Sequence, residues 1–116
     1  MSFDTTTMSK QYDPSDLFHI EVVHTKRDPD SIYIGRGSAL GNPFKMYTEE
    51  QRDSVCDQYE EFFWSQLEAK DPEFMEELEF LVESAFVNGY VRLGCFCAPR
   101  RCHGDTVKRF LNSVLN

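Results

Sequence analysis

The segment Asn88–Leu115, NGYVRLGCFCAPRRCHGDTVKRFLNSVL, decides the fold. Tyr90–Phe96 puts Val91, Leu93 and Cys95 on one side of an extended chain and reads as a strand. Asn88-Gly89, just ahead of it, is a helix stop. Cys97–Cys102 carries a proline and two arginines and reads as a loop. Val107, Phe110, Leu111 and Val114 then fall at helical spacing, so a helix is expected over about Gly104–Leu115. A strand that returns after a helical stretch pairs parallel to an earlier strand, through a right-handed crossover. The chain is therefore expected to be α/β.

Upstream, Asp71-Pro72 starts a helix, with Asp as cap and Pro at the first position. Phe74, Leu78, Leu81, Val82 and Ala85 form its apolar stripe. Thr48 and Gln51 make a capping box for a helix reaching about Ala69. Val55, Tyr59, Phe62, Phe63 and Leu67 give that helix its inner face, and Trp64 also reads as core. Two β-rich runs come earlier, Phe18–Thr25 and Ser31–Gly35, joined by the turn Lys26–Asp30. The expected architecture is one small α/β domain over residues 16–116, with a short, mostly parallel sheet and the order β-β-α-α-β-α. Met1–Ser15 is polar and reads as a flexible tail.

A chain of 116 residues can bury one core but not two. Its net charge of −8 argues against non-specific binding to nucleic acid or to an anionic membrane. Residues 48–88 hold 13 of the 20 acidic residues and only two bases, Arg52 and Lys70. That middle reads as a solvated helical face, or as a surface over Thr48–Asn88 for a basic protein partner. The end of the chain is basic, and an anion would be welcome there. No apolar run approaches the roughly 20 residues of a membrane helix. The first residues lack the apolar core of a signal peptide, so a reducing, cytoplasmic setting is expected. Of the four cysteines, Cys95, Cys97 and Cys102 crowd together while Cys56 stands apart. A disulfide scaffold spreads its cysteines, so these read as thiols for metal, catalysis or packing.

Two segments can carry chemistry, and both leave the carboxyl ends of expected strands, where ligands of open α/β sheets bind. Gly35–Phe44, GRGSALGNPF, is a glycine-rich loop. Its backbone N–H groups at Gly35, Gly37 and Gly41 could nest an anion, Arg36 could fork onto it, and Ser38 and Asn42 could add hydrogen bonds. The loop lacks the P-loop lysine and the dinucleotide-binding spacing. In Gly94–Asp105, Cys102, His103 and Gly104 arrive at a helix N-terminus, which lowers a thiol's pKa and attracts anions. Arg100 and Arg101 would add to both effects.

Three readings of this segment stay open. Cys95, Cys97, Cys102 and His103 could form a zinc site, although adjacent Cys and His are awkward joint ligands. Cys102 could be a nucleophile, with His103 or Asp105 as acid–base partner. Or the cysteines could be small core residues, with His103 capping the helix. Cys56 reads as packing.

The motifs Tyr33–Phe44 (YIGRGSALGNPF) and Leu93–Val107 (LGCFCAPRRCHGDTV) resemble domain-of-unknown-function family 4326, found in bacteria and their viruses. The resemblance runs over about residues 20–115, with Phe96 standing where the family pattern has Trp. The positions that match the family's motifs are Arg36, Ser38, Asn42, Cys95, Cys97, Cys102, His103, Gly104 and Asp105, and the family name implies little about function. A looser, fold-level likeness to Rossmann-like nucleotide-binding proteins implies a nucleotide-like ligand. The expectation carried forward is a pocket for a small anionic, nucleotide-like ligand, with catalysis an open question. A zinc-stabilised module and an acidic interaction protein are the alternatives.

Overall fold

The computed structural model describes residues 17–116, so the expected tail Met1–Ser15 lies outside the described residues. Along the chain come strands β1 (His19–His24) and β2 (Ile32–Tyr33) and a 3-10 turn at Glu49–Gln51. Helices α1 (Arg52–Ala69) and α2 (Pro72–Asn88), strand β3 (Tyr90–Cys95) and helix α3 (Gly104–Leu115) follow. The element order is the expected one. The helix starts also follow the sequence chemistry. The Gln51 carboxamide accepts the Thr48 N–H at 3.3 Å, and Asp71 Oδ2 accepts the Phe74 N–H at 3.1 Å.

The sheet has three strands in the order β1-β3-β2, and both pairings are parallel. Ile20 sits opposite Val91 and Val22 opposite Leu93, so their side chains share one face. These residues join Ile34, Leu40, Tyr59, Phe63, Phe74, Leu81, Val107 and Leu111 in a single core cluster that draws on all three helices. Within it Phe63 meets Phe74 edge-on at 5.1 Å and packs on Phe110 at 5.4 Å. The Rossmann-like expectation goes no further than the parallel α/β class, because β1 and β2 follow each other with no helix between them.

Placing β1 and β2 on opposite sides of β3, pointing the same way, forces residues 25–31 to cross over β3. They cross at Gly94. A Cβ there would overlap Ser31 Oγ and lie 3.1 Å from Thr25 Oγ1. The crossing is fastened by Ser31 Oγ donating to Asp28 O at 2.7 Å and by the Arg92–Asp28 ion pair at 2.9 Å.

The charge segregation seen in the sequence is resolved in part within the molecule. Arg100 pairs with Glu49, Arg101 with Asp53 and Asp57, and Arg109 with Glu60. Much of the acidity around α1 thus meets the chain's own basic end. No carboxylate on α2 has an ion pair among the described residues. Trp64 and Val114, expected inside, are each about half exposed, at 51% and 55%. Trp64 lies past the edge of the buried stripe formed by Cys56, Tyr59 and Phe63, and rests edge-on against Phe110 at 6.3 Å. No helix among the described residues is long and apolar enough to cross a membrane.

The crossing predicts the cost of a single methyl. Gly94→Ala should destabilise the fold by about 1–3 kcal/mol through overpacking, measured by urea denaturation. Adding Ser31→Ala removes the overlapping hydroxyl, so the double variant should lose less than the sum of the two single losses. Strict additivity would rule out the crossing as the cause.

Candidate functional site

The loop after β2 is shaped by its own hydrogen bonds. Ser38 N and Gly41 N donate to Gly35 O and Ser38 O at 3.1 and 3.0 Å. The Ser38 hydroxyl also donates to Gly35 O, at 2.7 Å, and Phe44 N donates to Asn42 Oδ1 at 2.8 Å. Glycine at position 35 lets the Tyr33 ring fold onto the backbone, where a Cβ would lie 2.4 to 2.6 Å from the tyrosine hydroxyl and its ring edge. Tyr33 then donates its hydroxyl to Arg36 O at 2.9 Å. Of the N–H groups expected to nest an anion, that of Gly41 is used within the loop. Two carbonyls of the loop region face inward: Leu40 O accepts the Tyr59 hydroxyl at 2.6 Å, and Ile34 O lies 2.6 Å from His103 Nε2.

That second contact fixes the histidine's state. A carbonyl can only accept, so Nε2 carries the proton. Burial pushes the His103 pKa below its ordinary value, against the opposing pull of Ile34 O and Asp105. The ring is neutral and meets Tyr59 edge-on at 5.0 Å. Asp105, expected as an acid–base partner, is exposed and accepts the Cys102 backbone N–H at 3.3 Å, a helix-start role.

Cys95 ends β3 and Cys102 lies two residues before α3. Their sulfurs are 2.9 Å apart, and both residues are buried. The Cys102 thiol beside Cys95 holds the Cys95 pKa well below the usual thiol range, and the amides of Cys97 and Ala98 act in the same direction. The same contact, with burial, pushes Cys102 up. The sequence nominated Cys102 as nucleophile; the two sulfurs share one contact in which either can donate, and the Cys97 and Ala98 amides favour the negative charge on Cys95. Gly104 N donates to Cys102 Sγ at 3.3 Å.

These pieces surround a cavity of about 320 Å³ at the carboxyl end of the sheet. Gly35, Arg36 and Asn42 line it from the loop, and Cys95, Cys97, Cys102 and His103 from the other segment. Tyr33, Phe44 and Phe96 add aromatic walls. Gly37, Ser38, Gly41, Gly104 and Asp105 do not line it. Neither do Arg100 and Arg101, which point instead at the acids of α1 and the turn before it. Those ion pairs, with Arg52 donating to Arg101 O at 2.8 Å, lash the turn Cys97–Cys102 to α1.

Sequence reasoning missed Arg52 and Cys56 as cavity residues. Arg52 is held by Glu49, through Nε at 2.8 Å and a second nitrogen at 2.6 Å. A signal was present: Arg52 is a base in the first turn of a helix, where the dipole disfavours it. Cys56 follows four residues later on the same face, and burial raises its thiol pKa.

The zinc alternative is not assembled. Among the described residues no group of three or more His, Cys, Asp or Glu side chains is placed to hold a metal ion. His103 Nε2 is committed to Ile34 O, and Cys95 faces Cys102 thiol to thiol.

Fold and site together define a parallel α/β domain with a thiol-rich cavity at the carboxyl end of its sheet. A family model described as domain of unknown function DUF4326 matches residues 20–113, and the chain belongs to that family. No curated protein and no solved structure matches it.

The buried neutral histidine makes stability depend on pH. Its folded-state pKa lies below the ordinary value of 6.5, so the unfolded chain takes up the proton first as pH falls. This stabilisation is full above about pH 6.5 and drains away below it, by at most about 1.4 kcal/mol per pH unit. His103→Gln, whose amide can still donate to Ile34 O, should show a shallower fall in melting temperature between about pH 6.5 and 5. Equal slopes in the two proteins would show that His103 is not the group responsible.

Proposed function

We propose that the cavity binds a small anionic ligand bearing a planar ring, a nucleotide or a nucleotide-like molecule. The observation that carries this reading is Arg36. It lines the cavity, donates to Phe44 O at 3.3 Å, and has no carboxylate partner among the described residues. Arg52, by contrast, is already neutralised by Glu49 and shapes the wall. A guanidinium free of acids is suited to a phosphate or carboxylate. The rings of Tyr33, Phe44 and Phe96 offer faces and edges for a planar group. The volume lies at the small end of the range for ligand sites, as a mononucleotide needs. Asn42 spends its side-chain oxygen on the loop and keeps its N–H₂ group for a ligand.

The test is a panel of nucleoside mono- and diphosphates, read by thermal shift and then by calorimetry. Arg36→Ala should weaken binding about 10- to 100-fold, the loss of one charge-assisted hydrogen bond. Its melting temperature without ligand should stay near that of the wild type, because Arg36 is exposed. Full affinity in the variant, or no shift of the wild type with any nucleotide, would defeat the reading.

A second reading, an acidic face for a basic partner, narrows to α2, whose carboxylates have no ion pair among the described residues. Reversing Glu76, Glu77 and Glu79 to Lys should abolish binding of a Lys/Arg-rich peptide that the Arg36→Ala protein still binds. Binding that survives the reversal would remove α2 as the contact surface.

A further inference from the structure

Cys95 and Cys102 form a pair that the ligand reading does not use. Their sulfurs are 2.9 Å apart, and a disulfide bond is about 2.05 Å long. The pair therefore needs to close by less than about 1 Å. Both residues are buried, at 2% and 4% exposure, yet both line the cavity, so a molecule inside it can reach them. Cys95 is held at the end of the central strand, and Cys102 on a turn lashed to α1 by Arg101 and Arg52. The Cys102 sulfur lies against Cys95 Sγ, and the Cys97 and Ala98 amides favour negative charge there, conditions that suit a nucleophilic thiolate.

We propose that Cys95 and Cys102 are a redox-active dithiol that exchanges with the disulfide of a small thiol entering the cavity. In the first step the Cys95 thiolate attacks one sulfur of R–S–S–R. The R–S–S–R bond breaks, a Cys95–S–S–R mixed disulfide forms, and R–S⁻ leaves and takes up the proton that Cys95 released. In the second step Cys102 gives up its proton and its sulfur attacks Cys95 Sγ. The mixed disulfide breaks, the Cys95–Cys102 bond forms, and the second R–S⁻ leaves with the Cys102 proton. The dithiol is oxidised by two electrons, and one small disulfide is reduced to two thiols. An excess of small thiol runs the same steps backwards. The exchange is read at the two sulfurs and the nucleotide reading at Arg36, so the two stand or fall separately.

The full chain, reduced and freed of reductant without oxygen, is incubated with oxidised glutathione and then with excess N-ethylmaleimide. Intact mass and peptide mapping read the result. Of the four cysteines, two should escape alkylation, and the mapped link should be Cys95–Cys102. Dithiothreitol should restore four alkylated cysteines. Cys102→Ser should stop at a glutathione adduct on Cys95, and Cys97→Ser should still form the Cys95–Cys102 link. Four alkylated cysteines in the treated wild type, or a link mapping to Cys56 or Cys97, would overturn the proposal. The wild-type map decides even if a serine variant fails to fold.

Discussion

Everything at the carboxyl end of the sheet depends on one close approach, the passage of residues 25–31 over Gly94. Two strands that follow each other in sequence normally turn back and pair antiparallel. Here the chain leaves β1, crosses the position that β3 will occupy, and starts β2 on the far side in the same direction. The crossing is possible because β3 presents bare backbone at Gly94. It also sets the place of the glycine-rich loop. With β2 beside β3, the chain emerging from β2 stands next to the chain emerging from β3, and the two segments enclose one cavity. With a side chain at Gly94 the crossing segment would have to lift away, and with it the strand that delivers the loop.

The second constraint is electrostatic. The strongly acidic middle and the basic end of the chain look in sequence like two surfaces awaiting partners, but around α1 they partner each other. Arg100, Arg101 and Arg109 reach the acids of α1 and of the turn that precedes it. Exposed ion pairs contribute little each to stability. Their effect here is positional: they hold a short turn with no secondary structure of its own against a helix. That turn carries Cys97 and ends in Cys102, so surface charges fix where the buried sulfurs lie.

The fold was readable because its signals are local. Asp71-Pro72, Gln51 and the apolar stripes of α1 and α2 act within a few residues, and each starts or faces a helix as expected. The parallel sheet was readable because a strand following two helices has few other options. What the sequence could not reveal is which arginines reach the cavity. Arg100 and Arg101 adjoin the cysteines in sequence but turn to α1, whereas Arg52, distant in sequence, lines the wall. That outcome turns on long-range pairing, which adjacency does not encode. Trp64 was misplaced for a related reason: helical spacing gives a face but not its width. The loop's hydrogen bonds were also out of reach, because a glycine-rich stretch can point its N–H groups outward or spend them on itself, and this one spends those of Ser38, Gly41 and Phe44.

The paired contacts of Tyr59 and His103 have a consequence for how the cavity responds to what enters it. One donates to Leu40 O, the other to Ile34 O, and their rings touch. The two carbonyls bracket the glycine-rich loop's first turns, and the two donors belong to α1 and to the start of α3. Loop, helix and thiol-bearing turn are thereby bolted to a common hub at the cavity's base. A guest pushing on the loop cannot widen the cavity without breaking a buried hydrogen bond. Two buried hydrogen bonds therefore tie the cavity's width to the packing of α1 and the start of α3, while the lining residues Arg36 and Phe96 stay exposed to solvent.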